Sequence, residues 1–203
     1  MPQPAINKLV SRIYGNGRGW AFSQKDFSGL GTRSAIDVSL HRLHEKGTIR
    51  RVLRGIYDYP QVSEKLGRQL SPDIDQVARA LARKSGWRIQ PTGPAALNLL
   101  GLSTQVMGRY AYLSDGPDRV YAIGKRTIEF QHTALKESGF KLRESSLVVQ
   151  ALRSLGEERI DESTISKLRD FLGPDLCTKV LKDTRTARGW VHDTILAICR
   201  EVR

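Results

Sequence analysis

Ile6, Leu9, Val10 and Ile13 recur at the i, i+3, i+4, i+7 spacing of a helix with one buried stripe, and the glycines between Gly15 and Gly19 end that run. Ser23 then offers an N-cap to a short helix carrying Phe27, which Gly29 to Gly31 closes. Thr32 is placed to cap a longer helix in which Ile36, Leu40 and Leu43 share one face, and Gly47 stops it. Two short β-prone runs follow, residues 48–53 and 56–59. Between them lies Arg54-Gly55, a tip whose glycine takes the positive φ of a tight turn.

Farther along, residues 73–84 read as a helix, with Ile74, Val77, Ala78 and Leu81 spaced for burial, Ser71-Pro72 as cap and first-turn proline, and Gly86 as the stop. Residues 87–90 predict a short strand and 94–100 another helix. Three strand-like runs, 110–113, 119–123 and 127–131, are separated by turn residues at 115–118 and by Gly124-Lys125, so an antiparallel meander is expected. From Glu144 the pattern is helical, through Leu147, Val148, Ala151, Leu152 and Leu155, then Ile165, Leu168 and Leu172, then 176–181 and 190–202. A polar stretch over 61–72 without an aromatic residue places a boundary near residue 65. The expectation is an α+β protein: an N-terminal domain over 1–65, and over 66–203 a mixed α+β domain with an antiparallel meander and a helical C-terminal cluster.

Charge sharpens the picture. The 203 residues carry 33 Lys or Arg against 21 Asp or Glu, a net +12 with an isoelectric point near 10.0. Such an excess favours a polyanionic partner, nucleic acid first. Residues 1–60 hold ten Lys or Arg against four acids, half of the net charge in under a third of the chain. No run approaches eighteen apolar residues and no continuous apolar leader follows Met-Pro-Gln-Pro, so a soluble, cytoplasmic protein that avoids membranes is expected. Cys177 and Cys199 both fall in helical pattern, which fits a reducing compartment and two buried small hydrophobes; they are too few for a structural zinc site unless His192 and another residue join them.

Three helices followed by a basic hairpin, with a glycine-containing turn before the third helix, is the element order of a winged helix-turn-helix. With Leu40 at zero and 100° per residue, the side of the third helix away from Ile36 and Leu43 carries Ser34, Val38, His41, Arg42 and Glu45. A face of small and polar side chains with one arginine fits a major groove, where Arg42 is placed to pair with a guanine and Val38 to meet a thymine methyl. Thr32, Arg33 and Ser34, at the helix start, suit a phosphate, and Arg50, Arg51 and Arg54 of the hairpin suit the backbone or the adjacent minor groove. The same inward stripe and polar face also occur in any three-helix globular piece. What favours the DNA reading is the conjunction of helix order, glycine turn, basic tip and local charge.

The segment from Phe22-Ser23 onward, through Leu40-His41-Arg42-Leu43-His44-Glu45-Lys46-Gly47-Thr48-Ile49-Arg50-Arg51-Val52-Leu53-Arg54-Gly55-Ile56-Tyr57, resembles the N-terminal winged helix of the AbiE-type antitoxins. The resemblance lies in a Leu-x-x-Leu-x-x-x-Gly helix end, an arginine-rich strand and an Arg-Gly-x-Tyr wing, over residues 5 to 60. Beyond residue 70 the layout is similar to that family's C-terminal domain, without a sharp motif. The resemblance implies a transcriptional repressor, the antitoxin of a type IV toxin-antitoxin (abortive infection) pair. It would bind double-stranded DNA repeats in its own promoter and counter a nucleotidyltransferase-like toxin, with no enzymatic activity and no cofactor. A different class of reading is a stand-alone winged-helix transcription factor whose second domain dimerises or holds an effector.

Catalytic motifs are sparse. Pro117-Asp118 with Glu129 and Gln131 approximates the paired carboxylates of metal-dependent nucleases, but a glutamine stands where such sites need a lysine, and an ordinary turn explains Gly116-Pro117-Asp118 equally well. Gly15-x-Gly17-x-Gly19 is not a dinucleotide fingerprint, His41-x-x-His44 lacks a third ligand, and no Gly-x-Ser-x-Gly elbow occurs, so neither catalytic residues nor a metal is expected. Arg119, Lys125, Arg126, Lys136, Lys141 and Arg143 oppose only Glu129 and Glu137, a possible second basic surface or a merely solvated sheet face.

Overall fold

A computed structural model describes residues 3–105, 107–133, 140–187 and 189–200. The chain folds into two compact units, Met1–Arg88 and Ile89–Arg203.

In the first unit, α1 (Gln3–Gly15) buries Leu9 and Ile13, the stripe its spacing predicts. β1 (Ala21–Phe22) follows, and the expected short second helix is a single 3-10 turn, Gln24–Phe27, at whose start the Ser23 N–H and hydroxyl both donate to the Asp26 carboxylate. α2 (Arg33–Glu45), β2 (Arg50–Leu53) and β3 (Ile56–Asp58) complete a small α+β layer. The sheet order is β1-β3-β2, antiparallel throughout. Leu9, Ile13, Phe22, Phe27, Ile36, Leu40, Leu43 and Ile49 form one core, with the Phe22 and Phe27 rings edge to face at 5.3 Å.

The unit does not end near residue 65. The polar stretch expected to be a linker instead contains a second hairpin, β4 (Val62–Ser63) and β5 (Arg68–Gln69), and α3 (Ile74–Ser85) returns to pack on β1, the 3-10 turn and β3. Arg83 fixes that return, donating to the Asp26 carboxylate at 2.6 Å and to the Ala21 carbonyl at 2.8 Å. The cap of α3 is Asp73 rather than Ser71-Pro72: its carboxylate accepts from the Asp75 and Gln76 N–H groups.

The second unit holds β6 (Ile89–Pro91), α4 (Gly93–Leu99), β7 (Arg109–Ser114), β8 (Arg119–Ile123) and β9 (Arg126–His132), then α5 (Arg143–Leu155), α6 (Glu162–Asp183) and α7 (Gly189–Arg200). Its sheet is not the expected meander. The strand order is β6-β7-β9-β8, with β7 and β9 parallel and the other pairs antiparallel. Burial explains the swap: Ile128 and Phe130 give β9 an apolar face fit for an interior position beside Tyr110 and Tyr112, whereas Arg119, Val120 and Ala122 of β8 are exposed and suit an edge.

The helices of this unit share a second core built on Leu147, Val148, Ala151 and Leu152 of α5, Leu168, Leu172 and Val180 of α6, and Val191, Ile195 and Ile198 of α7. Gly93 lets α4 approach α5, since a Cβ there would lie 2.5 Å from Ser154. α6 breaks at Gly173, whose φ of 57° and following Pro174 interrupt the helix. Cys177 and Cys199 are free and buried, and burial together with the neighbouring Cys177 thiol pushes Cys199 up to about 12. Among the described residues no helix is long and apolar enough to cross a membrane.

Candidate nucleic-acid interface

The face of α2 that its periodicity turns outward is open. Thr32 caps the helix, its hydroxyl oxygen accepting from the Ala35 N–H at 3.3 Å, while Ile36, Ser39, Leu40 and Leu43 are buried. Ser39 is an inward residue that the apolar pattern missed; its hydroxyl donates to the Ala35 carbonyl at 2.7 Å, which satisfies it within the helix. Arg33, Ser34, Asp37, Val38, His41, Arg42 and Glu45 are all exposed, and Val38 keeps 46% of its surface in solvent. Arg33 stands 4.0 Å from Asp37, a loose i, i+4 pair. Arg33 and Arg42 are matched in number by Asp37 and Glu45, so the Lys and Arg side chains of this face add no net charge to it. His44 points the other way, half-buried, its Nδ1 3.4 Å from the Ile49 carbonyl.

The β2–β3 hairpin supplies two of the three arginines expected of it. Arg51 and Arg54 are exposed, and Gly55 carries the turn at φ 74°. The Lys84 ammonium donates to the Arg54 carbonyl at 3.1 Å and so adds a further cation beside the tip.

Arg50 has a different role. Its Nη2 and Nε donate to the two Asp58 oxygens at 2.5 and 3.0 Å, and its Nη1 donates to the Leu70 carbonyl at 2.8 Å. The register places Arg50 directly opposite Asp58, whose side chain is 1% exposed. Burial pushes the Asp58 carboxyl above its ordinary range, and Arg50 offsets only part of that. With each of its three nitrogens making one such bond, the Arg50 guanidinium ties the hairpin to the Leu70 carbonyl just after β5 and is committed to the fold. Arg18, outside the expected set, is likewise engaged: it donates to the Pro60 carbonyl and sits 4.7 Å over the Tyr59 ring.

In the second unit the suspected basic strip is dispersed. Arg119 begins β8 and Lys125-Arg126 lies at the opposite end of the β8–β9 hairpin, roughly 13 Å away at strand rise. Arg143 is half-buried and 3.7 Å from Glu144, and Lys141 is exposed while its backbone N–H donates to Asp183. Lys136 lies outside the described residues. The two nuclease-like carboxylates are committed too: Asp118 accepts from the His132 backbone N–H, and Glu129 binds Arg109 at 2.9 Å and the Gln131 amide at 2.8 Å.

A family model described as a family of unknown function, DUF6088, matches residues 8–179. The chain belongs to the DUF6088 family. No curated protein matches it. The DUF6088 match begins in α1 and ends within α6, so it takes in the whole α2 face, both hairpins of the first unit and the four-stranded sheet of the second.

Proposed function

We propose that this DUF6088 chain is a sequence-specific double-stranded-DNA-binding transcriptional repressor whose first unit is a winged helix-turn-helix. The observation that carries the reading is the open face of α2: Ser34, Val38, His41 and Arg42 stand free of partners in the described interactions, on a helix whose opposite side is locked into the core, and an arginine-bearing hairpin with Arg51 and Arg54 exposed belongs to the same unit. The order α1, β1, 3-10 turn, α2, β2, β3 with sheet order β1-β3-β2 supports it. In this reading Arg42 reads a base edge, Val38 and His41 line the groove, Thr32, Arg33 and Ser34 meet a phosphate at the helix start, and Arg51 and Arg54 contact the backbone. Arg50 leaves the contact set.

The resemblance to AbiE-type antitoxins extends the proposal to a biological role: autorepression through promoter repeats and protection against a nucleotidyltransferase-like toxin. A shift assay of the full chain on the DNA upstream of its own gene, against a scrambled duplex at two salt concentrations, tests the first part. Selective binding that persists at the higher salt supports it; equal affinity for both duplexes, lost steeply with salt, would reduce the charge to a phosphate footprint and end the repressor reading. Growth rescue on co-expression with a toxin encoded beside the gene tests the second part.

A further inference from the structure

We infer that the β2–β3 tip and the last turn of α3 together form a two-cation seat for the DNA backbone, in which Lys84 of α3 joins Arg54 as a phosphate donor. The inference rests on the DNA-binding reading but not on its sequence selectivity, because a phosphate carries no base information.

α3 lies outside the order of three helices and a hairpin that marks a winged helix, yet two adjacent residues tie its last turn to that unit. Arg83 donates to the Asp26 carboxylate and the Ala21 carbonyl, and Lys84 donates from its ammonium to the Arg54 carbonyl at 3.1 Å. The fit at the tip is close. A Cβ on Gly55 would lie 2.8 Å from the Lys84 nitrogen, so the glycine that takes a φ of 74° in the turn also leaves the room in which the ammonium sits.

The charges gathered there lack a counter-charge. Arg50, Arg79 and Arg83 of the same unit each pair with an aspartate, whereas among the described residues neither Arg54 nor Lys84 forms an ion pair. The Arg54 side chain is exposed, and an ammonium has three donors, of which the Arg54 carbonyl takes one. Like charges collected at one tip repel each other, and an arriving anion relieves that repulsion. A backbone phosphate suits the pair, since its oxygens accept from the guanidinium fork and from the ammonium as a point charge.

Shift assays of the full chain on the upstream and scrambled duplexes over a salt series, with wild type and Lys84→Met, test the seat. Methionine keeps an unbranched stem against the tip and removes the charge. Each phosphate contact costs about 3.5-fold in affinity between roughly 50 and 200 mM salt, so the variant is expected to lose about 3.5-fold less than wild type over that range, on both duplexes and with discrimination between them unchanged. Lys84→Arg, which keeps the charge, is expected to restore the wild-type salt slope. A lower melting temperature with a wild-type slope would make Lys84 a brace of the fold alone and overturn the inference. Reductive methylation of the wild-type chain, read by peptide mass spectrometry, needs no variant: adding duplex should protect Lys84, and equal labelling with and without duplex would likewise overturn it. Wild type that shifts neither duplex would end the DNA-binding reading and this inference together, whereas wild-type binding with an unaltered Lys84→Met slope would end this inference only.

Discussion

At the scale of single residues, Arg50 and Asp58 show how one pair decides the use of a whole hairpin. The carboxylate is buried and its partner reaches it with two nitrogens, so removing the guanidinium strands a charge in the interior. Arg50→Ala is expected to cost about 3 kcal/mol at pH 7, the low end of the range for a broken buried pair because the Arg50 side chain keeps 27% of its surface in solvent. The pH dependence has a definite sign. Asp58 titrates above its ordinary value in the folded chain, so its contribution favours folding most at low pH and is lost as pH rises through that raised value. Without Arg50 the carboxyl moves up further and the penalty grows with pH. Urea midpoints of wild type and variant at pH 7 and pH 4 should therefore lie closer together at pH 4; an equal gap at both would assign the loss to the Leu70 contact instead.

At the scale of elements, the proposed DNA-binding role would be divided between α2 and the β2–β3 hairpin. On the proposed reading, in which Arg42 would read a base edge, Arg42→Ala should weaken binding to the preferred duplex by about 1 to 3 kcal/mol and relax discrimination. Arg51→Ala and Arg54→Ala should weaken preferred and scrambled duplexes alike and flatten the salt dependence, which shift assays over a salt series would separate. Unchanged discrimination in Arg42→Ala would mean that another face of the unit meets the bases. These elements were readable in the sequence because Ile36, Leu40 and Leu43 encode a helical face by period, and Arg54-Gly55 encodes a turn by chemistry. Composition groups Arg50 with the other hairpin arginines, but a turn at 54–55 sets it across from residue 58, and the facing Asp58 is the sequence signal for an ion pair. The β4–β5 hairpin had no comparable signal, since residues 61–70 are almost all exposed and lack alternation. Strand identity in the second unit was readable as well, but strand neighbours were not, because a period of two says which face is buried and nothing about which edge is paired.

At the scale of the whole chain, the position of the division sets what can stand alone. A fragment of residues 1–65 lacks α3, and with it the Arg83 bonds to Asp26 and Ala21 and the apolar stripe that packs on β1 and β3. It should melt without a cooperative transition by circular dichroism, whereas residues 1–88 should unfold cooperatively; a cooperative 1–65 fragment would show that α3 is dispensable to this core. The strand order of the second unit has a kinetic counterpart. β8 and β9 pair across a tight turn, with Ile123 and Arg126 opposite each other, while β7 meets β9 through residues eighteen positions apart. The nearer pairing has the smaller loop-closure cost and should form early, with β7 docking afterwards along the completed ribbon. If that order holds, Gly124, at φ 58° in that turn, would lie in the folding nucleus: Gly124→Ala should slow refolding, and Leu113→Ala in β7 should instead hasten unfolding, a contrast that the two arms of a chevron plot would read directly.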